Sequence, residues 1–250
     1  MSIKNKVVLV SGASAGIGQA VSARLLNAGA TVIACGRNEE KLHRFAERCT
    51  GATGELQLAP GDVTDSAYLE TLFHQGEKRI NTFVLCAGQG LPGTLLTSDN
   101  SKWHALFQLN CLAAMEQLRI AAECFVAQEK SDQPVEVQDL VVIGSTVGRE
   151  ISASNPVYGA TKFALHSLVE SLRQELCVFN IRVTLIEPGF VHSEFQQNAN
   201  YDMAWFNSLE RKMGPFLQAD DVARTIEFVI AQPPAVHLDN IRIRPTHQKA

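Results

Sequence analysis

The sequence predicts an α/β fold: one doubly wound domain with a parallel sheet of seven strands and helices on both faces. Three observations predict it. Short, wholly apolar runs alternate with helix-period segments from residue 7 to residue 243, which is the pattern of strands buried on both faces and of the crossovers that join them. A glycine-rich turn joins the first apolar run to the first helix. The chain has 250 residues, 46% of them hydrophobic and 19% charged, enough to bury one large core and too apolar for disorder.

Val7-Val8-Leu9-Val10 is the first strand and runs into Ser11-Gly12-Ala13-Ser14-Ala15-Gly16-Ile17-Gly18. A helix follows with Ile17, Val21, Leu25 and Ala28 on one side, stopping at Gly29. Strand, glycine turn and helix form the context that binds a dinucleotide: Gly12 permits the turn, and Gly16 and Gly18 let a pyrophosphate reach the helix amino end. Ser14 and Ile17 belong to the same loop. The alternative is a plain glycine turn.

The second strand, 31–35, leads to Gly36-Arg37. An acidic residue at the end of this strand would hold a free ribose 2′-hydroxyl, whereas an arginine accommodates a 2′-phosphate. Residues 34–38 contain Arg37 and no carboxylate, so NADP(H) is expected, with a solvated loop arginine as the alternative. A helix over 39–49 and a short strand over 56–59 come next. Asp62, beside Val63, is either an acceptor for the adenine amino group or a turn residue. A helix with Leu69, Leu72 and Phe73 precedes the fourth strand, 80–85, which ends in Cys86-Ala87-Gly88.

Residues 101–127 read as one long helix. Asn110 interrupts its apolar series and is either a structural bridge or an active-site anchor, because a buried amide needs partners. Residues 129–138 form a polar connection. The fifth strand, 139–144, ends at Ser145, and 13 residues later the helix over 158–178 opens with Tyr158-Gly159-Ala160-Thr161-Lys162. Tyrosine and lysine at i and i+4 share a helix face. An ammonium beside a phenol lowers the phenol pKa and fits it to move a proton at neutral pH. A sixth strand over 181–186 ends at Pro188-Gly189. Residues 190–217 are the least regular long segment and carry Phe195, Tyr201, Trp205 and Phe206; they are expected to form a substrate lid, with packing under a surface loop as the alternative. A helix over 220–231 and a strand over 236–243 complete the single domain, 1–250.

The Gly12/Gly16/Gly18 loop, Asn110, Ser145, Tyr158 with Lys162, and Pro188-Gly189 occur together and in order. The set resembles the classical short-chain dehydrogenase/reductases over essentially the whole chain. The resemblance implies a Rossmann fold and an NADP(H)-dependent oxidoreductase that moves a hydride between nicotinamide and a carbonyl or secondary alcohol. It implies that Tyr158 is the proton donor and acceptor, Lys162 its modulator and the holder of the nicotinamide ribose, Ser145 the hydroxyl on the substrate carbonyl, and Asn110 the residue that positions a relay water. Asp62 and Val63 match the adenine contact, and Cys86, Ala87 and Gly88 the turn beside the cofactor. Pro188, Gly189 and Val191 would line the nicotinamide, with Ser193 in place of the usual threonine. Cys86 replaces the family's asparagine, so a sheet-stabilising amide contact is expected to be missing. Three stretches, 32–37, 143–146 and the tail around 240–248, are similar to the NADP-dependent 3-hydroxy acid dehydrogenase group. A small 3-hydroxy or 3-oxo acid would need a cation, and Arg149 is the candidate, unless it pairs with Glu150 or points to water. The rival functions are a carrier-linked 3-oxoacyl reductase and a non-catalytic NADP(H) sensor. The resemblance further implies a homotetramer.

Net charge is −4 with no basic block, so neither nucleic acid nor anionic membrane is an expected partner. No targeting or spanning segment is evident, which makes cytoplasmic residence the default. Six scattered cysteines and seven histidines without ligand spacing point to buried thiols and to no metal.

Overall fold

The fold is described by a computed structural model covering residues 3–74, 78–131 and 137–249. Seven parallel strands form one sheet: β1 Val7–Ser11, β2 Thr31–Gly36, β3 Glu55–Pro60, β4 Thr82–Leu85, β5 Gln138–Ile143, β6 Ile181–Pro188 and, after two short strands introduced below, β9 Asn240–Ile243. Their order is β3-β2-β1-β4-β5-β6-β9. The chain therefore reverses direction across the sheet between β1 and β4, and a crevice opens at their carboxyl ends, where sheets of this kind bind ligands.

The five inner strands are buried on both faces because successive side chains enter different cores, whereas the edge strands β3 and β9 are partly exposed. Val8, Val10, Val32, Ala34, Val84 and Val141 meet α1 Gly16–Asn27, α2 Glu39–Arg48 and α9 Ala219–Ile230. Leu9, Ile33, Phe83, Leu140 and Val183 meet α3 Ser66–His74, α5 Ala114–Glu129 and α6 Pro156–Leu176. Phe73 packs edge-on against Phe83, with ring centroids 5.4 Å apart. Helix ends follow local chemistry: the Asn38 side chain accepts the Lys41 N–H at 2.9 Å to start α2, and Pro156, whose missing N–H is no loss in a first turn, opens α6.

The sheet also buries charge. Asp139 of β5 accepts from Lys6 and from Arg182 of β6, each at 2.7 Å, and all three side chains are almost fully buried. Arg182 spends its remaining donors on the carbonyls of Ile230, Gln232, Pro233 and Val236.

Three expectations change. The long helix over 101–127 is broken into a short turn Asn100–Lys102, α4 Trp103–Phe107, a π-helical segment Gln108–Ala113 and α5. The wide turn re-aims Asn110, a known use of such segments. Residues 190–217 are regular rather than loop: β7 Val191–His192, α7 Phe195–Asn198, α8 Met203–Met213 and β8 Leu217–Gln218, with β7 and β8 paired. An aromatic cluster organises them, Phe190 stacking on Phe216 at 4.9 Å and Phe206 meeting Phe216 edge-on at 5.0 Å. The last strand is shorter than 236–243. Of the polar connection expected over 129–138, residues 132–136 lie outside the described residues. Among the described residues no helix is long and apolar enough to cross a membrane.

Candidate active site

One cleft of about 1170 Å³ runs along the carboxyl ends of β2, β1, β4, β5 and β6. At its near end lie Gly12, Ser14, Gly16, Ile17 and Gly18. Gly12 has φ +71°, and a Cβ at Gly18 would stand 2.4 Å from the Gly12 carbonyl oxygen; the turn exists only because both side chains are missing. The amino end of α1 has no side-chain cap, its N-cap being Ala15. Its first N–H groups and the helix dipole therefore face the cleft and suit a phosphate. These residues fit a dinucleotide.

Arg37 borders the same end of the cleft, exposed. It makes no hydrogen bond or ion pair among the described residues. Sequence reasoning missed Lys41, which also lines the cleft and reaches across it to Glu194. Its position, four residues after Arg37 in the first turn of a helix, was the available signal. Val63, Cys86, Ala87 and Gly88 line the middle, and Pro188, Gly189, Val191 and Ser193 the far wall. Asp62 is not among the residues that line it; its Oδ1 accepts the Thr64 N–H and hydroxyl, each at 2.9 Å, as a turn residue does. Cys86 packs near Lys162, and burial pushes its thiol up to about 12, against the opposing pull of Lys162.

Ser145, Tyr158 and Lys162 converge at the inner end. Lys162 Nζ donates to the Ile143 carbonyl at 2.9 Å and lies 5.9 Å from the centre of the Tyr158 ring. Burial lowers Lys162 to about 8, with Cys86 and Cys111 opposing. Tyr158 corrects an expectation. Burial raises its phenol above the usual value, Tyr201 adds to the rise, and the Ser145 hydrogen bond pulls the other way. The direction is opposite to the one expected, and the phenol keeps its proton at neutral pH.

Asn110 is buried but does not line the cleft. Its Oδ1 accepts the Gln89 N–H at 2.9 Å, and its Nδ2 donates to the Gln89 carbonyl at 2.8 Å and to Thr161 Oγ1 at 3.1 Å. Thr161 in turn donates to the Tyr158 carbonyl at 2.7 Å. Asn110 thus bridges the turn after β4 to the helix of the Tyr–Lys pair.

Arg149 is a second correction. It turns away from the cleft and clamps Glu187, with Nη2 at 2.6 Å and Nε at 3.0 Å from Oε1. Glu187 is fully buried and also accepts from Asn240 at 2.6 Å and Arg242 at 3.2 Å. Burial alone would raise its carboxyl, yet the Arg149 and Asn240 hydrogen bonds hold it below the usual range. Glu150, the partner considered for Arg149, pairs with Arg242 and Arg244. A further residue emerges here that the sequence did not mark. The His166 ring seats against Gly144 and Gly148, where a Cβ would come within 2.3 and 2.5 Å. Its Nε2 accepts the Ser145 N–H at 3.3 Å, and its Nδ1 faces Glu187 at 3.8 Å. Its only sequence signal was a histidine two turns after Tyr158.

The chain matches the family model described as short chain dehydrogenase over residues 6–204. It is 28% identical over 248 residues to an uncharacterized oxidoreductase of Staphylococcus epidermidis, covering 97% of this chain and 98% of that one. Among solved structures it is similar to the closed form of a serine dehydrogenase complexed with NADP+, at 26% identity and TM-score 0.84, covering 98% and 96% of the two chains. It is likewise similar to a metagenomic short-chain oxidoreductase in complex with NADP, at 25% identity and TM-score 0.76, covering 99% and 100%.

Proposed function

The chain belongs to the short-chain dehydrogenase family, and on that premise we propose that it is an NADP(H)-dependent oxidoreductase interconverting a carbonyl and a secondary alcohol. One observation carries the reading: Ser145, Tyr158 and Lys162 meet at the inner end of a cleft whose other end is an uncapped helix terminus behind a glycine turn.

When bound, the nicotinamide dinucleotide supplies or accepts the hydride. The Tyr158 phenol, protonated at neutral pH, gives that proton to the carbonyl oxygen as charge develops there. The Ser145 hydroxyl donates a second hydrogen bond to the same oxygen. Lys162, charged below pH about 8, favours the phenolate left behind. Asn110 and Thr161 fix the helix turn that carries both. The segment over 190–217 roofs the cleft with Phe195, Tyr201 and Trp205 and acts as the lid. Arg37, with Lys41 beside it, receives the 2′-phosphate; the NADP bound in two similar structures supports this choice.

A small 3-hydroxy acid is less well supported, because Arg149, its expected anchor, is committed to Glu187. A carrier-linked reductase would want a basic rim, and the charged residues bordering the substrate half of this cleft are Glu150 and Asp202. We further propose cytoplasmic residence and a homotetramer. Exposed Phe107, Leu112, Met115 and Phe163, on the neighbouring helices α4 to α6 and the π segment, support assembly through that face.

Tyr158→Phe tests the enzyme reading. It should lose roughly 10²–10⁴-fold in kcat with NADPH affinity unchanged. A variant that keeps its turnover would leave the sensor as the better account.

A further inference from the structure

We infer that the substrate half of the cleft is built for an uncharged carbonyl compound bearing an aromatic or bulky apolar group, and that it selects against carboxylates. This rests on the oxidoreductase reading above and adds the class of substrate.

The walls beyond Tyr158 are aromatic. Phe195 lies 5.7 Å from the Tyr158 ring and Tyr201 6.4 Å from Phe195. Trp205 and Ile151 border the same space and are 45% and 92% exposed. Large apolar side chains held open to solvent at the mouth of a cleft gain by covering one another with an apolar ligand.

Charge points the same way. Among the described residues that line the cleft, the cations are Arg37, Lys41 and Lys162. The first two stand at the β2 end, far along the cleft from Tyr158, and Lys41 already holds Glu194. Lys162 donates to the Ile143 carbonyl beneath the tyrosine. The roof brings no replacement: His192 pairs with Glu210 at 2.7 Å, and Arg211 and Lys212 are exposed and do not line the cleft. The charged groups that do border the substrate half are carboxylates. Glu150 is matched by Arg242 and Arg244, and Asp202 caps α8 through the Ala204 and Trp205 N–H groups. The polar atoms left over among the cleft-lining residues are also acceptors: Asn155 Oδ1, Gln196 Oε1 and Glu150 Oε2 are buried without a hydrogen-bond partner among the described residues, while Asn155 Nδ2 reaches Tyr201 Oη at 3.5 Å. An acceptor between aromatic rings receives an O–H or N–H and repels a carboxylate, and a buried charge with no counter-ion is strongly disfavoured.

The test uses one skeleton in two charge states, 4-acetylbenzoate and its methyl ester, with NADPH and the protein. The expected kcat/KM favours the ester by at least about tenfold, equivalent to about 1.4 kcal/mol. Ile151→Arg, which puts a cation at the mouth, should shift that ratio toward the acid by about threefold or more, an effect that a difference in intrinsic reactivity would not show. Calorimetric binding to the Tyr158→Phe protein loaded with NADPH should likewise favour the ester. Equal or better use of the acid overturns the inference, as does a ratio that Ile151→Arg leaves unmoved. If the wild-type protein reduces neither compound but binds the ester more tightly, the substrate class stands and the hydride-transfer reading fails. If the ester is neither reduced nor bound, the inference falls.

Discussion

Replacing His166 with phenylalanine keeps a planar ring between Gly144 and Gly148 and removes both ring nitrogens. In the wild-type protein Nε2 accepts the Ser145 N–H at 3.3 Å, so the proton of the neutral ring sits on Nδ1, toward Glu187. Burial pushes the His166 pKa down from 6.5 to about 4; Glu187 opposes the shift, and Lys162 and Arg149 add to it. The folded-state pKa is thus below the unfolded value. Between pH about 4 and 6.5 the unfolded chain binds more protons at this site, so stability rises with pH through that window and is lost as pH falls. A shift of this size corresponds to about 3 kcal/mol. At pH 7 the phenylalanine variant loses the acceptor for a buried N–H, a cost of roughly 1–3 kcal/mol. The variant should therefore be less stable than wild type at pH 7, and the gap should close or invert by pH 4. Urea unfolding of both proteins at four pH values across the window measures this. Kinetics at pH 7 should show the loss mainly in kcat, because the displaced group is the Ser145 hydroxyl. A stability gap that stays constant from pH 7 to pH 4 would refute the assignment of a neutral, hydrogen-bonded His166.

Arg37→Ala should weaken NADPH by roughly 10–100-fold, the worth of a charge-assisted bond to phosphate, and leave NADH nearly unchanged; equal losses in a fluorescence titration would remove the 2′-phosphate role. Asp139→Asn strands two buried cations, Lys6 and Arg182, and should cost about 3–5 kcal/mol of unfolding free energy; a loss under about 1 kcal/mol would mean that water reaches the cluster. Sedimentation at micromolar concentration should find a tetramer, and Phe163→Asp, which charges the exposed face of α6, should yield smaller species. A monomeric wild-type protein would end that proposal.

The sheet was legible because its inner strands carry short apolar runs where its helices are amphipathic, so the two periods separate. The Tyr158–Lys162 pair was legible because a helix sets i and i+4 on one face. What escaped depends on contacts between distant segments. The π segment at Asn110 coincides with bonds to Gln89 and Thr161, 21 and 51 residues away, which helix periodicity does not register. Arg149 was assigned by nearness in sequence to Ser145, whereas a fully buried carboxylate 38 residues on, Glu187, had the stronger claim on it. The phenol of Tyr158 was judged by its charged neighbour alone, without its burial, which raises it. The order in the 190–217 segment comes from aromatic stacking across 26 residues, Phe190 to Phe216, and no local signal announces it.

The ion cluster at Lys6 has a consequence for synthesis of the chain. Lys6 and Asp139 are 133 residues apart, and Asp139 and Arg182 are 43 apart. At the usual 5–20 residues per second, Lys6 waits about 7–27 seconds after translation before its counter-ion exists. The first strand and the glycine loop behind it are made early, yet Lys6 can be withdrawn from water only once β5 has been delivered. Closing the longer loop also costs about 1 kcal/mol more than the shorter one, so Arg182 has the advantage in reaching Asp139 first. The nucleotide-binding end, though first off the ribosome, is not locked in place until the middle of the sheet has been made.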